Sequence, residues 1–200
     1  MPVYSINNIV PVVDPKAYVH PTACLIGDVI IAAGCYVGPC ASLRGDMGRI
    51  VIEAGSNIQD NCVLHSKPGA EMLVREEGHI GHGAVLHGCR VEANALIGIN
   101  AIVMDDAVIG ESSIIAAGAF IKTGFICPPR SLVIGTPGRV VRELTEQDLA
   151  WKKRATAEYQ QLTRRCLETM RETAPLSASE PDRKRFAATD GFISFKDVRK

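Results

Sequence analysis

Large aliphatic residues recur every six positions along most of the chain, with small or β-branched residues usually two positions before them, as Ala17 stands before Val19. Insertions near Met47 and over residues 67–77, and one five-residue step, interrupt the period without ending it. The positions are Val19, Leu25, Ile31, Val37, Leu43, Ile52, Ile58, Leu64, Ile80, Leu86, Val91, Ile97, Val103, Ile109, Ile115 and Ile121. Neither the helix period of 3.6 nor the strand period of 2 explains this spacing.

A six-residue period with fixed large and small positions predicts a mainly β protein built as a parallel β-helix. Each hexapeptide then forms one short face of a prism, with the aliphatic inside and the small residue where the backbone turns. Glycine and asparagine in "IGD", "VGP", "IGIN" and "AAG" supply corner conformations that bulkier residues resist. We expect this domain to span residues 10–142.

A C-terminal helix is predicted over residues 143–172. It should begin at Thr145, because "TEQD" has the spacing of a capping box between Thr145 and Asp148. An apolar stripe predicts that the helix covers the open end of the last coil; its members are Leu149, Tyr159, Leu162, Cys166 and Met170. Residues 173–200 are rich in proline, serine and charge, which is typical of a flexible tail or an arm on a neighbouring subunit.

Charge and composition exclude several classes of partner. Lys plus Arg equals Asp plus Glu at 22 each, and no cluster of basic residues in the sequence indicates binding to nucleic acid. No apolar run approaches the roughly 18 residues of a membrane span, and we expect no export signal at the N-terminus. The seven cysteines are odd in number and include no C-x-x-C pair, which favours a reduced, cytoplasmic protein.

Histidines concentrate in one region, and three of the five lie in "GHIGHGAVLHGC". His65 and His87 each follow an inward leucine, so they have the same phase and can stack on one edge. His82 is five residues from His87, a span of about 16 Å when extended, whereas zinc needs its nitrogens about 2.0–2.1 Å away. A shared metal therefore requires two histidines from one chain and one from its neighbour in a cyclic trimer. The alternative, unrelated surface histidines, stays open here and is our expectation for His20 and His79.

Three segments, "SLRGDMGRI", "NIQDNCVLHS" and "HIGHGAVLHGC", resemble the signature of the gamma-class carbonic anhydrase family. The members of that family are left-handed β-helices that form homotrimers, and the likeness covers about residues 10–142. The resemblance implies a divalent metal on His65, His82 and His87, with His82 reaching across the subunit interface. Imidazole ligands suit Zn²⁺, with Fe²⁺ and Co²⁺ as alternatives.

The resemblance also implies roles for four other residues. Arg44 and Asp46 would form a pair between subunits, Gln59 would orient the metal-bound water, and Asp60 would support that arrangement. Met47 departs from the pattern, because the well-studied carbonic anhydrases have a glutamate there and another, the proton shuttle, in the loop after the first histidine. Here that loop begins "SKPGAEM", which disfavours fast CO2 hydration.

A closer likeness, carried by "MPVYSINNIVPVV", "YVHPTACLIGDVII" and "LAWKKRATAEYQQL", is to the phenylacetic acid degradation branch, the sister of the carnitine operon proteins. That branch implies a metal-dependent acyl-CoA thioesterase of the hydroxyphenylacetyl-CoA type, in which metal-bound hydroxide attacks the thioester carbonyl. Reversible CO2 hydration is the first alternative. A hexapeptide acyltransferase with a histidine general base is the second, and a non-enzymatic trimeric scaffold is the third.

Overall fold

Short strands wind around a three-sided prism in the computed structural model, which describes residues 1–186. The strands are β1 Val3–Tyr4, β2 Val12–Val13, β3 Tyr18–Val19, β4 Cys24–Ile31, β5 Tyr36–Val37, β6 Ser42–Ile52, β7 Asn57–Ile58, β8 Val63–His65, β9 Glu71–Val74, β10 His79–Ile80, β11 Val85–His87, β12 Arg90–Val91, β13 Leu96–Ile97, β14 Ile102–Val103, β15 Val108–Ile109, β16 Ile114–Ile115, β17 Phe120–Ile121, β18 Ile126–Cys127, β19 Ser131–Ile134 and β20 Arg139–Glu143. One helix, α1, follows at Glu146–Thr169.

Strands one coil apart pair in parallel and build the three faces. The long strands β4 and β6 turn a corner, so that the twelve-stranded sheet covers two faces. The first face stacks β8, β11, β14 and β17 beside the start of β6, and the second stacks β9, β12, β15 and β18 beside its end. The third face is the eight-stranded sheet, which runs from β3 to β19 and ends with antiparallel β20. This left-handed β-helix with a C-terminal helix confirms the predicted fold class.

The hexapeptide aliphatics form the core. Every predicted position from Leu25 to Ile121 is at most 1% exposed, and Val19 in the first coil is partly buried. Their small partners, such as Ala95 and Ala101, are equally buried where the backbone turns. Each buried leucine or isoleucine contributes about 1.5–3 kcal/mol, so the repeated inward position stabilises the whole solenoid.

The corners use asparagine and glycine for different reasons. Asn61, Asn94 and Asn100 take left-handed conformations with φ between 55° and 59°, which asparagine tolerates better than most residues. Gly98 has no such φ, but a Cβ at this position would lie 2.4 Å from the backbone nitrogen of Ala117. It is therefore the close approach of the next coil that requires glycine there.

Helix α1 begins as the sequence predicts but packs elsewhere. Thr145 is the N-cap, and it forms the capping box with Asp148. The predicted position across the open end of the last coil is wrong, because α1 packs along the third face, against β3, β5 and β7. Its start packs Leu149 and Trp151 against the late coils, and its end brings Met170 to the hydroxyl of Tyr18.

The chain outside the solenoid and helix contributes less structure. Strand β1 pairs with β4, with Val3 opposite Leu25, so β-structure begins before the predicted boundary at residue 10. Residues 171–186 contain neither helix nor strand, and the rest of the predicted tail, 187–200, lies outside the described residues. Within residues 1–186, α1 lacks the apolar length that a membrane crossing needs.

Candidate functional site

Two histidines stack on the first face. His65 ends β8 and His87 ends β11, and these strands pair in parallel with the two histidines opposite each other, which confirms the predicted stacking. Nδ1 of His65 lies 3.1 Å from Nε2 of His87, and the ring centroids are 5.1 Å apart. Both side chains are partly buried.

The other nitrogen of each of these two rings lies within hydrogen-bond distance of a carboxylate. Nε2 of His65 lies 3.0 Å from Oδ1 of Asp46, and Nδ1 of His87 lies 2.8 Å from Oδ1 of Asp105. An imidazole facing a carboxylate carries its proton on that nitrogen, which leaves the opposite nitrogen as a lone pair. Two lone pairs 3.1 Å apart repel each other unless a proton or a metal ion lies between them, so this pair of nitrogens can share a cation.

Arg44 holds the carboxylate behind His65. Its Nη1 lies 3.0 Å from Oδ2 of Asp46, and Arg44 stands opposite His65 in the register of β6 and β8. The resemblance implied that Arg44 and Asp46 pair between subunits, whereas the structure pairs them within one chain. They are two positions apart on β6, on the same side of the strand, which brings them within reach of each other.

His82 occupies a separate position, just after β10. Its Nδ1 lies 2.9 Å from Oδ2 of Asp60, and its Nε2 lies 3.4 Å from the hydroxyl of Tyr159 on α1. Within residues 1–186, no group of three histidine, cysteine, aspartate or glutamate side chains could hold one metal ion. One chain thus pairs His65 with His87 and leaves His82 apart, as the five-residue spacing predicts.

Gln59 is buried beneath α1 and fully engaged. Its Nε2 donates to Oδ1 of Asn57 at 2.9 Å and to Nε2 of His79 at 2.7 Å. Its Oε1 accepts from the backbone N–H of His82 at 3.2 Å. Because both amide hydrogens are used, Gln59 has none to offer a metal-bound water in this arrangement; instead it fixes the backbone at His82.

His79 is not the exposed histidine that we expected. It is buried under α1, and desolvation, with smaller effects of Lys152 and His82, lowers its pKa to about 3. The ring is therefore neutral at physiological pH. Its Nε2 lies 2.7 Å from the amide nitrogen of Gln59, and its Nδ1 lies 3.3 Å from the amide nitrogen of Asn57 and 3.5 Å from Oγ1 of Thr156.

Lys152 was missed by the sequence analysis. Its side chain is fully buried, and Nζ donates to the carbonyl of Glu77 at 2.7 Å and to Oδ1 of Asn94 at 2.6 Å. Burial lowers its pKa to about 7. This lysine therefore ties α1 to the corners that precede β10 and β13 in two successive coils.

A signal for this buried cluster does exist in the sequence. The outward residues of the third face are stacked in register, one per coil. They are Tyr18, Tyr36, Asn57, His79, Leu96, Ile114 and Leu132. This column is apolar or aromatic at both ends and polar in the middle, a pattern that predicts a covering element with polar residues at its centre.

Comparison with known proteins identifies the family. Residues 88–123 match the family described as "Bacterial transferase hexapeptide (six repeats)". The carnitine operon protein CaiE of Citrobacter koseri is 52% identical over 189 residues, which cover 94% of this chain and 96% of the relative. The chain belongs to the hexapeptide transferase family.

Two solved structures share the family's fold along most of the chain. The hexapeptide transferase family protein from Anaplasma phagocytophilum has a TM-score of 0.79 and 33% identity, covering 82% of this chain and 96% of that one. A Bacillus cereus protein provisionally described as an acetyltransferase has a TM-score of 0.81 and 30% identity, with the same coverage. The likeness to CaiE fits the expected sister relationship, while the phenylacetate branch stays a prediction.

Proposed function

We propose that the chain forms a cyclic trimer whose interfaces hydrolyse CoA thioesters. Each interface would join His65 and His87 of one copy to His82 of the next. The observation that carries this proposal is the division of the histidines within one chain: two face each other at 3.1 Å, and the third stands apart with its own carboxylate. A hydroxyphenylacetyl-CoA type of substrate is the class that the sequence resemblance implies.

The donor set fits a divalent ion. Two nitrogens bound at 2.0–2.1 Å to a tetrahedral ion are about 3.3 Å apart, close to the 3.1 Å between His65 and His87. Neutral imidazoles backed by carboxylates suit Zn²⁺, Fe²⁺ or Co²⁺. When bound, such an ion supplies a Lewis acid that lowers the pKa of water and polarises the thioester carbonyl.

The chain's own residues would hold the imidazoles in place for this chemistry. Asp46, Asp105 and Asp60 each take a proton-bearing nitrogen, so the opposite nitrogens remain available as ligands. Arg44 fixes Asp46 in turn. In the overall reaction a carbon–oxygen bond forms from water, the carbon–sulfur bond breaks, and CoA leaves as the thiol with a proton from that water.

An apolar column on the first face supports the assembly of copies. Val63, Val85, Ile102 and Phe120 stand opposite one another in successive coils. Val63 is 40% exposed and Ile102 38% exposed. Val63 lies two positions before His65 on the same side of β8, so a second copy that covers this column would also reach the histidine pair.

Acyl transfer is the second candidate. The observation in its favour is the 2.9 Å contact between His82 and Asp60, which leaves Nε2 of His82 as a base. A histidine general base between acyl-CoA and an acceptor needs no metal. The likeness to the Bacillus cereus and Anaplasma proteins supports this candidate.

Metal analysis with a CoA-ester panel separates the candidates. Purified protein would be analysed for bound elements and assayed with phenylacetyl-CoA, hydroxyphenylacetyl-CoA and acetyl-CoA, with release of free thiol as the readout. We expect His87→Ala to lose both the metal and hydrolysis. His20→Ala is the control, because His20 bonds Thr22 away from both histidine sites. Thiol release by a metal-free protein only when an acyl acceptor is added would favour acyl transfer instead.

A further inference from the structure

Tyr159 of α1 is held tightly above His82. Its ring lies 5.4 Å from the ring of Tyr36 and 5.4 Å, edge to face, from the ring of His79. These contacts fix the direction of the hydroxyl, which lies 3.4 Å from Nε2 of His82. The tyrosine therefore meets the one imidazole nitrogen that Asp60 leaves free.

The hydrogen-bond direction at this contact follows from the neighbours of His82. Asp60 keeps the proton on Nδ1, so Nε2 is a lone pair and the Tyr159 hydroxyl is its donor. Gln59 accepts a hydrogen bond from the backbone N–H of the same residue, which fixes the backbone from which the ring projects. His82 thus has a resting position between a carboxylate and a phenol.

We propose that the Tyr159 hydroxyl competes with the bound ion for Nε2 of His82 and so lowers the metal affinity of the interface site. The inference rests on the proposed metal site. A nitrogen lone pair accepts either the hydroxyl proton or the ion, and the hydroxyl stabilises only the metal-free state. Tyr159 is then a positioning residue, through which α1 influences how tightly the site binds its metal ion.

Removing the hydroxyl while keeping the ring tests this competition. In Tyr159→Phe the packing against Tyr36 and His79 is retained, and only the donor to His82 is lost. Since a single hydrogen bond has a modest net strength, we expect Co²⁺ to bind the metal-free trimer about two- to tenfold more tightly. Tyr18→Phe is the matched control, because it deletes a hydroxyl under the same helix that bonds Met170 instead; its affinity should equal the wild type's.

Two readouts from one titration decide the matter. The Co²⁺ dissociation constant reports the competition, and the visible absorption of bound Co²⁺ reports the ligands, which should be the same in Tyr159→Phe and wild type. An unchanged or weaker affinity in Tyr159→Phe overturns the inference while leaving the metal site intact. A changed Co²⁺ spectrum also overturns it, because Tyr159 would then alter the coordination itself. If the wild type binds no Co²⁺, the proposed site fails and this inference fails with it.

Discussion

The proposed trimer predicts that two inactive variants restore each other's activity when they assemble together. His82→Ala keeps the pair of His65 and His87 but lacks the third histidine. His65→Ala keeps His82 but has lost one member of the pair. Because the structure separates His82 from the other two within one chain, an interface between the two variants can hold a complete set.

The size of the recovery follows from cyclic symmetry. A complete site needs a His82→Ala copy on the side that gives the pair and a His65→Ala copy on the side that gives His82. With equal amounts and random assembly, about one quarter of the interfaces meet both conditions. Each variant alone should have none.

Co-expression with two different affinity tags provides the assay. Trimers carrying both tags are purified, and bound metal and thioesterase activity are measured per chain against the wild type. Because this selection removes the unmixed trimers, and each mixed trimer has one complete interface out of three, recovery of about one third in both quantities is the expected result. Mixed trimers that remain as inactive and metal-free as either parent would refute the division of the site between two copies.

Four further outcomes test other parts of the structure. The free energy of unfolding of the wild type should rise relative to Lys152→Met between about pH 7 and 10.5, measured by urea unfolding; the folded pKa of about 7 lies below the ordinary 10.5, so only the unfolded chain stays protonated there. Parallel pH curves would contradict the buried amine. Ile102→Asp should convert the proposed trimer to smaller species in light scattering, because it charges the apolar column. Asp105→Asn should weaken Co²⁺ binding about 10- to 100-fold, since it loses the carboxylate behind His87. Thr145→Ala should destabilise the protein by about 1 kcal/mol in urea unfolding through loss of the N-cap of α1.

The pattern of residues along the chain was enough to predict the solenoid and part of the site. Aliphatic residues repeated every six positions are all buried together when each hexapeptide forms one face of a coil. The stacking of each residue on those of neighbouring coils then follows from its position in the hexapeptide. His65 and His87 share that register, which is why their stacking could be predicted from phase alone. The start of α1 could also be predicted from the sequence, because a capping box is a contact between residues three positions apart.

The position of α1, and the residues that it buries, depend on long-range packing. The contacts of Lys152 with Glu77 and Asn94, and of Tyr159 with His82, join residues far apart in sequence. No sequence periodicity relates α1 to the coils. The position of the helix depends on how well its shape and polarity complement those of the third face. Burial under α1 then changes the chemistry of His79 and commits the amide of Gln59 to its neighbours. Local pattern fixes which side of a strand a residue occupies, but only packing decides what covers that side.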